Sequence, residues 1–184
     1  MAEYYLISQL PSLDGISENA PLPITEERFT ELCNRFLGKK AQETMKKLTL
    51  LPAKNYVSCG SALVDAFCES EKNLRFALGK VRAEKMKKPF DTENKILPLE
   101  YIKAASTAIE IENPMEAEKY LNSYRLEILE MLRPMDSFSE DYIFYYGLKL
   151  KLILRIRQFD TAVGEKEYRN IYNSILNGDR LEAM

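Results

Sequence analysis

The side chains that most often carry chemistry are either missing from this chain or spaced without a motif. Histidine, the commonest general base and metal ligand, does not occur in the 184 residues. Cys33, Cys59 and Cys68 are odd in number and lack CxxC spacing, which predicts free buried thiols in a reducing cytosol and neither a zinc site nor a disulfide framework. Glu127 and Glu130 lie one helical turn apart, but a di-metal carboxylate bundle also needs its Glu-x-x-His motif. We therefore expect no catalytic residue, no cofactor and no metal.

Charge is the remaining source of chemistry, and it is unevenly distributed. Basic residues are concentrated between positions 72 and 88, whereas residues 100–141 are strongly acidic. This asymmetry is typical of solvated faces that pair between helices, and it also favours a basic docking surface for an acidic protein partner. The net charge of −2 and the scarcity of aromatic residues within the basic run argue against nucleic acid. Lys80, Arg82 and Lys85 are therefore candidate partner-binding residues.

The elements that carry these residues begin and end at recognisable helix signals. Thr25, Ser61 and Asn113 are predicted N-caps, and Ser137 with Glu140 has the spacing of a capping box. The first five predicted helices span about 25–37, 41–50, 61–88, 98–111 and 114–132. A sixth begins at 137 and continues through residues 141–160, and the last spans 165–176, with glycine 178 as its C-cap. Residues 3–11 are either a short strand or a first helical turn, followed by a loop.

The simplest architecture is therefore all-α, a compact bundle of about six or seven helices with a possible short extended segment at the N-terminus. We expect one helical domain over residues 1–184, with possible sub-bundles 1–90 and 91–184. The N-terminus lacks a basic region and a long apolar region, which predicts a cytoplasmic protein without a signal peptide.

The stretch DYIFYYGLKLKLILRIRQFD, residues 141–160, has three possible interpretations. As a strand it lacks a neighbouring strand, and as a membrane span its four cations would each cost about 2.5 to 3.5 kcal/mol at mid-bilayer. As a helix it is apolar over most of its circumference, so it should be the most buried element. Its narrow polar side would hold Gly147, Lys151, Arg155 and Gln158. The apolar stripes are Tyr145, Leu148, Leu152, Ile156 and Phe159 on one side and Ile143, Tyr146, Leu150, Ile153 and Leu154 on the other.

Two cations fall within or beside these apolar stripes. Lys149 and Arg157 must therefore either extend to the surface or meet an acidic group. Together with Arg155 they complete the set of candidate partner-binding residues.

Two segments resemble known families. EYYLISQLPSLDG, residues 3–15, resembles the start of an uncharacterised bacterial family that tends to accompany V-type ATPase subunits. YYGLKLKLILRIRQFDTAVGEKEYRNIYNSIL, residues 145–176, resembles a segment of the C/d subunit family of V- and A-type ATPases, in which a helix is followed by a short loop and another helix. Tyr145, Lys149, Leu154 and Arg155 match that pattern, whereas the glutamate of the family is replaced here, with Lys151 and Leu152 in the region.

The resemblance implies an all-helical, non-enzymatic coupling or assembly subunit. In the C/d family, small helix bundles form a socket that joins the central stalk to the membrane proteolipid ring. The expected partners are therefore rotor or proteolipid subunits, and the expected location is cytoplasmic, at the membrane only through these proteins. A generic cytoplasmic helical adaptor would fit the residues equally well, and an enzyme using carboxylates or tyrosines would require a concave pocket with convergent titratable groups.

Overall fold

The computed structural model describes residues 2–16, 20–53, 55–90, 96–158 and 161–182, and every regular element in these ranges is a helix. The all-α class is therefore confirmed. Eight helices occur in the described residues, one more than the upper expected number, because the N-terminal segment is itself helical. They are α1 (Ala2–Ser8), α2 (Glu26–Phe36), α3 (Lys39–Lys47), α4 (Ala62–Lys85), α5 (Leu99–Glu110), α6 (Pro114–Met131), α7 (Glu140–Arg157) and α8 (Thr161–Glu182).

The predicted N-caps explain where three of these helices begin. The side chains of Thr25, Ser61 and Asn113 accept hydrogen bonds from the backbone N–H groups of the first turns of α2, α4 and α6. For α7 the cap is Ser139, whose hydroxyl accepts from the N–H of Tyr142, so the predicted cap two residues earlier is wrong. The turn that precedes α7 uses Asp136, whose carboxylate accepts from the N–H of Phe138.

Two predicted helix ends were marked by glycine. Helix α2 ends at Phe36, as expected before Gly38, and Gly38 also serves as the N-cap of α3. Gly178 does not end the last helix, since α8 continues to Glu182. A helix can pass through a glycine at a cost of about 1 kcal/mol, so glycine alone does not fix a boundary.

The larger of two hydrophobic clusters joins the N-terminal helices to α7. It contains side chains from α1, α2, α3, the first half of α4 and α7, with Leu129 from α6. Phe29 and Tyr146 pack with ring centroids 5.3 Å apart in its centre. Helix α7 therefore packs against helices that precede it by about a hundred residues.

The smaller cluster lies between the second half of α4, α5 and α6. Leu74, Ala77 and Leu78 of α4 pack there against the alanines of α5 and against Leu121 and Ile128 of α6. Helix α4 thus contributes to both clusters, and α7 belongs with the N-terminal helices.

Helix α7 has the buried, central position that its composition predicts. Every side chain from Ile143 to Leu150 is buried, as is Leu152, while 153–157 are half-buried. The predicted polar side is only partly at the surface: Gly147 lies under Phe29, and Lys151 forms an ion pair with Glu26 of α2. Phe159 lies outside the described residues.

Within the described ranges, every helix is too short or too polar to meet the requirements for crossing a membrane.

Candidate functional site

Lys149 lies in a small cleft where three elements meet. Its ammonium is 2.5 Å from a carboxylate oxygen of Asp14, in the loop after α1, and 2.5 Å from one of Glu130, on α6. It also donates to the hydroxyl of Tyr145, 3.2 Å away, and that hydroxyl donates to Glu130 at 2.7 Å. The predicted acidic group for Lys149 is thus supplied by this chain, and all three ammonium protons have acceptors.

The N-terminal segment is attached to α7 at neighbouring points. Tyr146, one turn before Lys149, donates its hydroxyl proton to the carbonyl of Pro11 at 2.9 Å. Asp14 is held in place by a local turn, in which its N–H donates to the hydroxyl of Ser12. The following Gly15 has φ of +68°, a conformation that few other residues adopt easily. The N-terminal segment 3–15 therefore contacts α7 at Lys149.

The pKa values in this cleft keep all three charges in place. The hydrogen bond from Lys149 holds the pKa of Asp14 below its usual value. Burial would raise the pKa of Glu130, but hydrogen bonds from Lys149 and Tyr145 outweigh burial and hold that pKa below its usual value. Burial would lower the pKa of Lys149, but its three hydrogen bonds raise it instead. A lysine that stays protonated at neutral pH is a poor nucleophile, and the ion pairs of Lys149 join the N-terminal segment to α6 and α7.

The rest of the cleft offers little for substrate chemistry. Its volume is about 220 Å³, below the range of most small-molecule sites. At its edge, the guanidinium of Arg133 lies over the rings of Tyr142 and Tyr145, with its carbon 5.9 Å and 5.8 Å from their centroids. Burial raises the pKa of Tyr145 to about 12, so its hydroxyl remains a hydrogen-bond donor at neutral pH.

A second set of buried charges, absent from the sequence-based candidates, joins α4 to α6. Arg125 donates from Nε and Nη2 to the two carboxylate oxygens of Glu71, at 2.9 Å and 3.2 Å. It also donates to the side-chain oxygen of Asn122 at 2.9 Å. Only 1% of the Glu71 side chain and 9% of the Arg125 side chain is exposed, so both charges need ionic partners within the chain, and their contact with each other is the shortest of these.

Glu118 extends this set to α7. It lies 3.4 Å from Arg125 and 2.8 Å from Arg155, so Arg155, a predicted partner-binding residue, is part of an internal ion pair. Arg157, the last residue of α7, is half-buried. Lys149 and Arg155 are thus engaged within the chain, and their predicted role in binding a partner has no direct support from their positions.

The remaining predicted residues lie in the second half of α4. Arg82 and Lys85 are exposed and one helical turn apart, whereas Lys80 is half-buried and two residues from Arg82, hence on a different face. Lys85 donates to the carbonyl of Ile109 at 3.1 Å, near the C-terminal end of α5, where a cation is favoured. The basic residues therefore form an exposed end of α4 and not one continuous patch; we call this the basic end of α4.

Helix α8 carries four exposed apolar side chains on one side. Tyr168, Ile171, Tyr172 and Ile175 are between 51% and 67% exposed, and their spacing places them on one side of the helix. We call these four residues the α8 stripe. The rings of Tyr168 and Tyr172 stack with centroids 6.2 Å apart. The sequence predicted a helix over 165–176 but did not show that this side of it is exposed, because exposure depends on the neighbouring elements.

The three cysteines have free thiols, as predicted. Cys33 and Cys68 are buried, and burial raises the pKa of Cys33 to about 12. Cys59 is half-buried, contrary to the prediction, and its thiol lies 3.7 Å from the carboxylate of Asp65. Asp65 also accepts a hydrogen bond from the hydroxyl of Tyr56 at 2.7 Å, so this carboxylate fastens the segment before α4. The described residues contain no cluster of three or more side chains suited to a metal ion.

Comparison with known proteins gives one similarity. Residues 89–179, just under half of the chain, match a family described as "Protein of unknown function (DUF2764)". The matched region includes α5, α6, α7 and all the residues of the α8 stripe. No curated protein and no solved structure matches the chain.

Proposed function

We propose that this protein is a non-enzymatic subunit or assembly factor of a V-type ATPase, acting as a helical adaptor near the central stalk. The observation that carries the proposal is the α8 stripe, an exposed apolar surface in a segment that resembles the C/d subunit family. The proposed partners are rotor or proteolipid subunits, and the chain would be held near the membrane by these proteins.

The α8 stripe has the spacing that helical partners recognise. Residues at i, i+3, i+4 and i+7, here 168, 171, 172 and 175, are the anchors of an amphipathic helix that binds in a groove of another protein. Tyrosine and isoleucine side chains in such positions supply large contact areas, and tyrosine is enriched among binding hot spots. The stripe therefore supports a protein partner with an apolar groove or helix.

The basic end of α4 supports an acidic region on the same partner or on a second one. Arg82 is exposed, and Lys87 and Lys88 follow it at the end of the helix. Exposed charges of this kind accelerate association and favour particular partners more than they add affinity. Mutation of Arg82 should therefore change the association rate and its salt dependence, while mutation of the α8 stripe should change the dissociation rate.

A non-enzymatic role is supported by the use of the interior charges. Lys149, Glu71 and Arg125, the most buried charged side chains in the described residues, all form ion pairs that connect helices. These pairs account for the three buried charges by structure alone.

Affinity purification from the native cell tests the proposal. A tagged chain should co-purify with V-type ATPase rotor or proteolipid subunits, and the double variant Ile171→Asp, Tyr172→Asp should lose them because it places charges on the stripe. Asn170→Asp, Asn173→Asp is the matched control, since it adds the same charges on the opposite side of α8. Purification of an intact V-type ATPase from which this chain is absent would refute the ATPase role. Stripe-dependent capture of one other defined protein would instead establish a generic helical adaptor.

A further inference from the structure

Four large apolar side chains are exposed around the end of α6, away from the α8 stripe. Met131 is the last residue of α6, and Met135 and Phe138 lie in the connection to α7. Tyr4 of α1 joins them, because its ring stacks on that of Phe138 with centroids 4.0 Å apart and planes at 2°. The exposed fractions run from 45% for Phe138 to complete exposure for Met135. We call these four residues the methionine patch.

The two aromatic rings of the methionine patch are held in place by contacts beneath them. The backbone N–H of Phe138 donates to the carboxylate of Asp136 at 2.9 Å, which fixes the connection. On the other side, Leu6 of α1 is completely buried in the larger hydrophobic cluster. The rings are therefore in position before a partner arrives, which lowers the entropy cost of binding. The methionine side chains are unbranched, so they can adapt to the surface of a partner.

Acidic side chains surround the methionine patch. Between positions 127 and 141 the chain carries five carboxylates and a single cation, Arg133. The carboxylates are Glu127, Glu130, Asp136, Glu140 and Asp141. Glu127 is exposed one helical turn before Met131, and Asp136 and Glu140 are exposed near Phe138. The guanidinium of Arg133 is engaged within the chain, over two tyrosine rings and 4.0 Å from a glutamate. The patch therefore has a negative rim.

The cleft at Lys149 shares two elements with the methionine patch. Ile7 lines the cleft and follows Tyr4 by three residues, so both lie on the same side of α1. Tyr142 also lines the cleft and follows Phe138 by four residues. The volume of about 220 Å³ is small for a substrate but sufficient for one side chain of a partner, of the kind that anchors an interface.

We propose that the methionine patch binds a basic amphipathic helix of another protein. The apolar face of such a helix would lie on the two methionines and on the stacked rings of Tyr4 and Phe138. Its lysines and arginines would face Glu127, Asp136 and Glu140. Amphipathic helices bind apolar surfaces in this way, and methionine is frequent on surfaces that accept them. The proposal concerns a second surface, so it depends neither on the α8 stripe nor on the ATPase role.

The negative rim favours this partner over a membrane or a second copy of the chain. Anionic lipids attract lysine and arginine, so the carboxylates of the rim would be repelled from such a bilayer. A second copy related by a two-fold axis would place the same carboxylates opposite each other. The α8 helix of a second copy offers no excess of positive charge, since two glutamates balance one lysine and one arginine between positions 161 and 175.

Binding of a synthetic peptide to the purified full chain tests the proposal. The probe is a fluorescein-labelled amphipathic helix of leucine and lysine, about 18 residues or five turns long. The control peptide has glutamate in place of every lysine. Titration with the chain should raise the fluorescence anisotropy of the leucine–lysine peptide and leave that of the leucine–glutamate peptide unchanged. Added salt should weaken the binding, because the rim charges lie at the surface.

A first pair of variants tests the apolar contacts. Met131→Ser with Met135→Ser should weaken binding of the leucine–lysine peptide by about tenfold or more, because it removes apolar contact area. Met86→Ser with Leu99→Ser is the control, since it removes two exposed apolar side chains elsewhere on the chain. Circular dichroism of each variant checks that the helices are intact. Equal weakening by both pairs would refute a contact at the methionine patch.

A second pair of variants tests the rim. Glu127→Lys with Glu140→Lys should also weaken binding, because it replaces two negative charges of the rim by positive ones. Glu84→Lys with Glu110→Lys changes the net charge by the same amount at exposed positions outside the rim and should bind the peptide as the natural chain does. Equal weakening by both pairs would show that the peptide responds only to net charge, which contradicts the proposal.

Other results would also overturn the proposal. Absence of binding at about 0.1 mM of either component would show that the patch does not accept a basic helix. Loss of binding in Ile171→Asp, Tyr172→Asp, with none in the methionine variant, would place the peptide on the α8 stripe. Self-association of the chain, or sedimentation with phosphatidylglycerol vesicles, that the methionine variant abolishes would assign the patch to a second copy or to a membrane. None of these measurements involves the ATPase, so failure of the ATPase role and failure of this proposal are distinguishable.

Discussion

Helices α7 and α8 follow each other along the chain but are covered in opposite ways. Ile143, Leu148, Leu150 and Leu152 of α7 are completely buried, whereas the apolar side chains of the α8 stripe are more than half exposed. The cation within the buried part of α7, Lys149, has carboxylates of its own chain around it. The buried residues of α7 should therefore determine stability, and the exposed residues of the α8 stripe should determine binding.

The largest effect is expected where both members of an ion pair are buried. Glu71→Ala would leave Arg125, of which 9% of the side chain is exposed, with only the more distant and partly exposed carboxylate of Glu118, which Arg125 shares with Arg155. We expect a loss of about 3 to 5 kcal/mol in the free energy of unfolding, measured by urea denaturation. Glu84→Ala, an exposed change on the same helix, is the control and should stay within about 0.5 kcal/mol. Similar losses from both variants would mean that the pair does not connect α4 to α6.

A smaller effect is expected at Lys149, because its partners can reach water. The Asp14 and Glu130 side chains are 58% and 41% exposed, so both carboxylates can be hydrated when the ammonium is removed. Lys149→Met should therefore cost about 1 to 3 kcal/mol in the free energy of unfolding. A loss equal to that of Glu71→Ala would show that the cleft is closed to solvent.

The same cleft should make stability depend on pH. The pKa values of Asp14 and Glu130 are lowered from 3.8 and 4.5. The contribution of these two carboxylates to the free energy of unfolding is therefore present above 3.8 and 4.5, and it is lost as the pH falls through their lower folded-state pKa values. Since both groups are well exposed, water screens the interaction, and we expect a change below about 1 kcal/mol. The difference in stability between the natural chain and Lys149→Met should therefore shrink in acid.

Alkaline conditions provide the complementary measurement. The pKa of Lys149 is raised above 10.5, so its contribution is complete below that value and is lost only as the pH rises through the still higher folded-state pKa. From neutral pH up to about 10, the difference between the two chains should stay constant. A difference that decreases over this alkaline range would contradict the hydrogen bonds assigned to Lys149.

Local signals in the sequence predicted most helix boundaries, because a cap acts within one turn. Thr25, Ser61 and Asn113 are examples. The N-terminal helix was ambiguous because α1 is only seven residues long and is stabilised by packing: Leu6 is completely buried against helices that come later in the chain. Short helices of this kind depend on tertiary contacts that spacing does not reveal.

The sites were less predictable, because ion pairs in a bundle join distant positions. The need of Lys149 for an acidic partner followed from its place on an apolar stripe, but Asp14 lies 135 residues away. Arg125 stands one helical turn from Leu121, Ile128 and Leu129, which places it on an apolar face of α6, but this spacing does not show that Glu71 of another helix lies beside it. Exposure of the α8 stripe likewise depends on what surrounds the helix.

The smallest effect on stability is expected at α8, where the effect on binding should be largest. Ile171→Ala removes a side chain that is 58% exposed, so the free energy of unfolding should change by less than about 0.5 kcal/mol. The same substitution on α7, Ile143→Ala, removes a completely buried side chain and should cost about 2 to 5 kcal/mol. Urea denaturation measures both losses, and affinity purification measures retention of the partner.

The two substitutions, Ile171→Ala and Ile143→Ala, separate two explanations for the exposed α8 stripe. If α8 is a binding element, Ile171→Ala weakens partner retention in a chain that is as stable as the natural one, because the lost contacts belong to the partner. If α8 instead belongs to the folded core, Ile171→Ala should destabilise the chain nearly as much as Ile143→Ala does. In that case the contrast between α7 and α8 would disappear, since both helices would be covered by the same chain.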